Sequence, residues 1–327
     1  MQRNTKLLNF TKPGNPGTKF KSPFEKMLKA LTLPKTVKEE LNIQDENIGD
    51  NFIVSNQPTV KSLPDEAVSQ AALSDEEELA LTKALLSEGR YHLIPSFFKT
   101  LIYLKKMKKE FSVVFRNFNA QDLTHAVAEF NQFCKGEHPC YSGRSGTALV
   151  KFDGSKGTRE MRFKEKHQRG HYFKEGDKLQ QVRLVTGAPK RAPKGENVDE
   201  FYQGPVEEGS VANHKEGIDQ YVAIIETLKK RATMSILDDK NAWVKSGNKK
   251  AGGKVLMVDQ ADYGTQHIFF DDVANNDVTS QVDVIDAVTG LPIQYSKFIN
   301  KYVVKVESHR AVMEADYFIK AIEHAEH

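Results

Sequence analysis

Two adjacent carboxylates, Asp271 and Asp272, directly follow a short apolar run at residues 268–270. The run is aromatic and β-branched and has a turn at Gly264 before it, so it predicts a buried β-strand that ends at the acidic pair. In an open α/β sheet, ligands bind outside the carboxyl ends of the strands. Two carboxylates there repel each other unless a cation lies between them, and Mg2+ is a hard cation that binds carboxylates. The alternative is a strand that ends in a solvated acidic turn.

The elements before this strand predict a parallel sheet. Residues 111–115 form a compact apolar strand, and Asp122 caps a following helix whose apolar face includes Phe130 and Phe133. A strand followed by a helix is the repeating unit of parallel sheets. Further strands are predicted at residues 51–54, 254–258, 282–285 and 302–306. The fold class predicted is α/β: a Rossmann-like, mostly parallel sheet with helices on both faces, spanning residues 51–327.

The first 50 residues predict an extended or disordered tail, because Lys, Asn, Pro and Gly dominate and no long apolar periodicity appears. One amphipathic stretch interrupts this composition, and its apolar side chains have the spacing of a helix that docks on a partner protein. The anchors are Phe20, Phe24, Met27, Leu28 and Leu31. Such a tail favours a structural, cytoskeletal role in a larger assembly. The alternative is a transient helix in a loose tail.

Residues 141–200 predict an irregular, β-rich and basic insertion. Thirteen basic and five acidic residues lie between 151 and 194, which gives this segment a net charge of +8. A surface for acidic protein partners is the favoured interpretation. Phe163, Tyr172 and Phe173 lie among the charges and would suit single-stranded nucleic acid. No RNA-binding signature accompanies them, so nucleic acid is the less favoured partner.

The composition of the chain favours a cytoplasmic protein without a membrane span. The chain has 327 residues, of which 39% are hydrophobic and 28% charged, with a formal net charge of +3. No apolar run approaches the roughly 20 residues that a membrane span needs. Two cysteines suit a reducing compartment, and the amino terminus lacks an apolar signal core, so a cytoplasmic protein is expected. A mitochondrial presequence is the alternative, although the Pro and Gly residues near the start do not favour an amphipathic helix.

Three short motifs carry a family resemblance. They are Leu-Ile-Pro-Ser-Phe-Phe at 93–98, Phe-Ser-Val-Val-Phe-Arg at 111–116 and Ile-Phe-Phe-Asp-Asp at 268–272. With the strand–helix–strand order, they resemble the haloacid-dehalogenase-like (HAD-like) hydrolase superfamily, in particular a eukaryotic branch of it. The resemblance covers residues 51–320. It implies a phosphohydrolase scaffold in which four loops at strand ends supply the catalytic groups.

The resemblance implies a role for each of these loops. The first would carry a nucleophilic Asp, an acid/base Asp and a Thr, and the nucleophile would form an aspartyl phosphate. The second would offer a hydroxyl to the phosphoryl group, but this chain has Asn117 there, which can still donate a hydrogen bond. The third would supply a charge-balancing lysine: Lys250, or one of its neighbours Lys245, Lys249 and Lys254. Asp271 and Asp272 match the fourth loop, which holds Mg2+.

The first loop departs from the family pattern. The best placement puts Ser55 at the nucleophile position and Gln57 at the acid/base position, with Thr59 retained. An unassisted Ser is a poor nucleophile, and Gln cannot transfer a proton at neutral pH. The expected function is therefore a catalytically degenerate HAD-like domain, a pseudoenzyme that acts as a binding or structural component. The alternative is a Mg2+-dependent phosphatase with unusual residues.

Overall fold

The computed structural model describes residues 13–43, 73–144, 149–174, 182–186, 213–216 and 218–325. The helices in these ranges are α1 (Lys21–Leu31), α2 (Lys35–Glu40), α3 (Asp75–Leu86), α4 (Pro95–Lys106), α5 (Ala120–Lys135), α6 (Ile218–Arg231), α7 (Lys240–Lys245), α8 (Tyr295–Phe298), α9 (Ser308–Met313) and α10 (Tyr317–Ala325). The strands are β1 (Val113–Asn117), β2 (Arg169–Lys174), β3 (Val182–Thr186), β4 (Asn213–Glu216), β5 (Thr233–Leu237), β6 (Lys254–Val258), β7 (Phe269–Asp271), β8 (Val282–Asp286) and β9 (Val303–Lys305).

The largest sheet has five described strands in the order β1-β5-β2-β3-β4. Its first three strands are parallel, with Val113 opposite Thr233 and Arg169 opposite Ser235. β3 and β4 extend it in antiparallel fashion. Two smaller parallel pairs follow, β6 with β8 and β7 with β9. The chain is therefore an α/β protein with mostly parallel open sheets, as the sequence predicts.

Helices cover both faces of the five-stranded sheet. Successive side chains of a strand point to opposite faces. On one face, Phe115 of β1 packs with its ring 5.4 Å from Phe130 of α5 and 5.8 Å from Phe97 of α4. On the other face, Met234 and Ile236 of β5 lie in the core to which α6 contributes. Each face thus has its own hydrophobic core.

β6 forms a second layer over the α6 side of the sheet. Its residues alternate between two cores: Val255 and Met257 pack with the sheet, whereas Leu256 and Val258 pack with the residues around Val303 of β9. A strand buried on both faces needs a continuous apolar run, which explains the sequence of residues 255–258. This arrangement stacks the carboxyl-terminal strands on the main sheet and carries Lys254 and Asp271 into the interior.

The amino-terminal segment differs from the extended tail that the sequence predicted. Its described part contains α1 and α2, and Leu33 and Val37 are 2% and 1% exposed in the core beneath α4 and α5. The backbone N–H of Leu33 also donates to the carbonyl of Gly89 at 2.8 Å. A few well-placed apolar side chains therefore offset the ordering entropy of this segment. The sequence did not predict their burial, because the segment as a whole has a polar composition.

The basic segment is also not the insertion that we expected, because β2 lies inside the main sheet between β5 and β3. A Cβ added at Gly170 of β2 would lie 2.9 Å from Leu184 and 3.1 Å from Met234, so glycine permits the close packing there. Arg169 and Lys174 are only 4% and 7% exposed. Because these two residues are charged, the sequence did not indicate that β2 is a buried strand.

Candidate functional site

The two predicted metal-binding carboxylates lie in different environments. Asp271 closes β7 and is 5% exposed, whereas the next residue, Asp272, is exposed. One carboxylate oxygen of Asp271 accepts a hydrogen bond from Lys254 Nζ at 2.9 Å, and the other accepts one from the N–H of Val273 at 2.8 Å. The buried member of the acidic pair is thus neutralised by a cation of the same chain.

Lys254 is positioned by the turn that leads into β6. It is the first residue of that strand and lies opposite Val282 of β8. The turn needs glycine, because a Cβ added at Gly253 would lie 2.5 Å from the carbonyl oxygen of Gln281. The side chains of Lys254 and Asp271 are 12% and 3% exposed. Their attraction must therefore compensate for the water that both charges lost on burial.

A second buried ion pair lies nearby, between Arg116 of β1 and Asp238, the residue after β5. The guanidinium donates to both carboxylate oxygens of Asp238 and also to the carbonyl oxygen of Val255 in β6. The two side chains are 6% and 3% exposed. Burial acts to lower the pKa of Arg116, but the Asp238 carboxylate outweighs it and raises that pKa above its ordinary value. Arg116 is therefore charged and bound to β6.

Aromatic rings connect the two ion pairs. The Phe269 ring lies 5.5 Å from the Arg116 guanidinium and 5.9 Å from Lys254 Nζ. Arg116 also lies 5.0 Å from the ring of Tyr172, and Lys254 lies 5.4 Å from that of Phe118. Aromatic faces attract cations, most strongly where water is excluded. We call Arg116, Asp238, Lys254 and Asp271 the charge cluster; it holds two cations and two anions.

The other predicted site residues have structural contacts. Asn117 accepts a hydrogen bond from the N–H of Asn119 at 2.9 Å and shapes the turn before α5. Lys250 forms an ion pair with Asp283 at 2.8 Å. Lys254, an alternative for the same role, is the lysine that contacts Asp271. Ser55, Gln57 and Thr59 lie outside the described residues.

The charge cluster suits an internal ammonium group better than Mg2+. A metal ion at Asp271 would have to displace Lys254 from an oxygen that it already binds at 2.9 Å. Mg2+ also requires near-octahedral oxygen ligands. Within the described ranges, no group of three or more His, Cys, Asp or Glu side chains is arranged to hold a metal ion.

Sequence reasoning did not place Arg116 and Asp238 in the site, although a signal for them existed. Both are charged residues at the carboxyl ends of apolar strands, residues 113–117 and 233–237. Burial of a charge without a partner is very costly, so charges beside such strands indicate a partner in the fold. Their pairing with each other, however, depends on β1 and β5 being neighbours.

Comparison with known proteins yields no relative. No family model, no curated protein and no solved structure matches the chain. The HAD-like resemblance therefore stays a prediction from three short motifs. In the part of the chain that the structure describes, no helix has the length and apolar character to cross a membrane.

Proposed function

We propose that this chain is a catalytically degenerate HAD-like protein that acts as a binding or structural component of a larger assembly. The observation that carries the proposal is the buried contact of 2.9 Å between Lys254 and Asp271. In a Mg2+-dependent hydrolase, such a carboxylate would face the metal. Here it binds a lysine, and with Arg116 and Asp238 it joins β7 and β6 to the main sheet.

Two other positions support the same conclusion. Asn117 stands where the family pattern expects a hydroxyl group, and its carboxamide oxygen is already bound to the loop before α5. In the sequence, Ser55 and Gln57 stand where a nucleophile and an acid/base are needed. A scaffold that keeps its packing while its reactive groups are replaced is suited to binding rather than to turnover.

A Mg2+-dependent phosphatase is the second candidate, and one contact favours it. A lysine beside the acidic pair is what the family pattern asks of its charge-balancing residue, and Lys254 meets that requirement in place of Lys250. Asp272, which is exposed, would then be the carboxylate open to a metal. This candidate requires Lys254 to leave Asp271 when Mg2+ binds.

Hydrolysis of p-nitrophenyl phosphate with and without Mg2+ separates the two candidates. We expect no Mg2+-dependent turnover from the full chain, and the same background rate from Asp271→Asn. Asp277→Asn is the matched control, because Asp277 lies in an exposed turn outside the charge cluster. Mg2+-dependent turnover that the exposed variant Asp272→Asn abolishes and Asp277→Asn retains would establish the phosphatase and end our proposal.

The proposed setting is a cytoplasmic, cytoskeleton-associated assembly. Cys134 and Cys140 are buried thiols that are not joined in a disulfide, as suits a reducing compartment. The predicted tail anchors support this setting less than we expected. Phe24, Met27, Leu28 and Leu31 are half-buried within the chain, where α1 lies against α9, while Phe20 is 49% exposed.

A further inference from the structure

Three exposed apolar side chains lie at the carboxyl ends of β6 and β8. Tyr263, in the loop after β6, is 97% exposed, and Val288 and Leu291, after β8, are each 64% exposed. The two loops are tied together, since Gln260 donates to Asp286 at 2.7 Å. We call Tyr263, Val288 and Leu291 the loop surface. Exposed apolar groups mark interaction sites where they share one surface, and the Gln260–Asp286 hydrogen bond brings these two loops together.

Side-chain turns fix both loops. Asp259 accepts a hydrogen bond from the N–H of Ala261 at 2.9 Å, and Asp262 accepts one from Gly264 at 2.9 Å. Asp286 accepts one from the N–H of Thr289 at 2.7 Å. Such turns limit the conformations of the backbone before any contact forms. A preformed loop loses little entropy on binding, so Tyr263 is presented as an anchor.

The charged side chains of the two loops that carry the loop surface are Asp259, Asp262 and Asp286, all of them acidic. Between Lys254 and Lys297 the sequence contains seven Asp residues and no Lys, Arg or Glu. Asp262 directly precedes Tyr263, and Asp259 lies four residues before it in the same loop. Because complementary potentials steer association and disfavour wrong partners, the surface that receives Tyr263 should be basic.

A basic surface of this kind lies on the same molecule. Lys229 and Lys230 are exposed at the end of α6, and Lys108 is exposed before β1. Arg159, also exposed, links these segments, because its guanidinium donates to the carbonyls of Phe111 at 2.7 Å and Leu228 at 3.4 Å. Lysines favour helix carboxyl ends, and two such ends meet at this edge of the sheet. We call Lys108, Arg159, Lys229 and Lys230 the basic surface.

The loop surface and the basic surface are neighbours along α6. The hydroxyl of Tyr221 in α6 lies 3.1 Å from Nε2 of His267, which holds the Tyr263 loop against the helix. The pKa of Asp262 is lowered mainly by a hydrogen bond from Thr265 and one from Gly264, and the charge of Lys229 contributes in the same direction. The positive charge of Lys229 thus favours the ionised form of Asp262, while the Tyr221–His267 contact ties the loop to the helix that carries Lys229 and Lys230.

We propose that these neighbouring surfaces form a self-complementary interface, in which Tyr263 of each copy packs on the basic surface of a second copy of this chain. An isologous two-fold contact needs one patch that matches itself, so that residue i meets j and j meets i. Adjacent acidic–apolar and basic surfaces meet that requirement. Tyr and Arg are also the residue types most enriched at binding hot spots. This inference rests on the proposed binding role and names its partner as a second copy.

Sedimentation velocity of the purified full chain tests the interface. We expect a dimer at about 0.1 M salt, where the Debye length is about 10 Å. The dimer should dissociate as the salt concentration is raised to about 1 M, because the Debye length is then only about 3 Å and the attraction between the charges is screened. Tyr263→Ala should weaken the dimer about tenfold or more, and the pair Lys229→Glu with Lys230→Glu should do the same. These side chains are exposed, so the melting temperature should hardly change. Val244→Ala is the control, because Val244 is 61% exposed on α7, outside both surfaces.

Replacing Tyr263 by the photo-crosslinker p-benzoylphenylalanine locates the contact. Irradiation should link it to the basic surface of a second copy, identified by mass spectrometry of the linked peptides. A monomer at both salt concentrations, an open-ended polymer, a dimer that ignores these substitutions, or a link mapped elsewhere would each overturn the proposal.

The outcome can be separated from that of the proposed function. A monomer without phosphatase activity overturns the interface alone. A dimer with Mg2+-dependent turnover leaves the interface standing and overturns the non-catalytic role.

Discussion

Lys254 Nζ lies 2.9 Å from an oxygen of Asp271, and both side chains are almost completely buried. The contact joins the first residue of β6 to the last residue of β7. Since two charges in the interior are stabilising only as a compensated set, the loss of one partner should do more harm than the loss of both. A larger loss of stability from the single substitution than from the double substitution therefore distinguishes a structural ion pair from a catalytic one.

Substitution of Lys254 alone should be strongly destabilising. Lys254→Met leaves Asp271 buried without a cation, and we expect the free energy of unfolding to fall by about 3–5 kcal/mol. The combined variant, Lys254→Met with Asp271→Leu, should recover most of that loss, because no uncompensated charge remains. Urea denaturation followed by circular dichroism measures both variants.

The control for this prediction is an exposed ion pair. Lys21 and Glu25 lie 3.8 Å apart with side chains 56% and 61% exposed. Lys21→Met should change the unfolding free energy by less than about 1 kcal/mol. If Lys254→Met is equally mild, Asp271 is not held by its lysine, and the structural interpretation of the charge cluster loses its basis.

Arg116 should not tolerate replacement by lysine. Its guanidinium binds both oxygens of Asp238 and the carbonyl of Val255, and a single ammonium cannot match that geometry. Arg116→Lys keeps the charge but loses at least one charged hydrogen bond, so we expect a loss of about 1.5–3 kcal/mol in chemical denaturation. Arg144→Lys, in the exposed pair with Glu40, should leave stability nearly unchanged. Equal effects at the two positions would contradict this account.

Local sequence signals predict several of the elements. Ser74 with the four acids after it has the pattern of a helix start, and the structure has a capping box there between Ser74 and Glu77. The strand predicted at 111–115 appears as β1 at 113–117, and the helix predicted to follow it appears as α5, although its cap is Asn119 and not Asp122 as predicted. In these cases the stabilising contacts lie within a few residues of each other, so the sequence contains them directly.

Long-range choices could not be predicted in the same way. Four lysines precede the acidic pair, and only the stacking of β6 on the main sheet brings Lys254 to Asp271. Likewise, the burial of Leu33 depends on the distant turn at Gly89. Spacing along the chain carries no record of such contacts, because they depend on which elements pack together.

The amino-terminal segment should contribute to the stability of the fold. Leu33 is 2% exposed in the core below α4. Leu33→Ala should therefore cost about 2–5 kcal/mol of unfolding free energy. Phe20→Ala is the control, because Phe20 is 49% exposed and substitutions at such sites usually stay within about 0.5 kcal/mol. If Leu33→Ala leaves the unfolding free energy unchanged, the segment does not contribute to the core, and the extended tail predicted from the sequence is the better description.

His267 should make stability depend on pH. Burial lowers its pKa below the ordinary value of 6.5, while Asp262 and Asp259 oppose the shift only in part. As the pH falls through that value, the unfolded chain binds a proton that folded His267 still excludes. The contribution of neutral His267 to the free energy of unfolding is therefore present above about pH 6.5. It is lost as the pH falls from there towards the pKa of His267 in the folded chain, which is the lower of the two.

The measurement compares the wild-type chain with His267→Gln by urea denaturation at several pH values between neutral and mildly acidic. The wild type should lose more stability than the variant on acidification, because the variant carries no group that must stay neutral beside Tyr221. The pKa of His125 is also lowered, chiefly by burial, but that residue is present in both proteins and its effect cancels. Parallel pH profiles would contradict this prediction, because they would show that His267 binds its proton as readily in the folded chain as in the unfolded one. The contact that holds the Tyr263 loop against α6 would then not depend on a neutral imidazole.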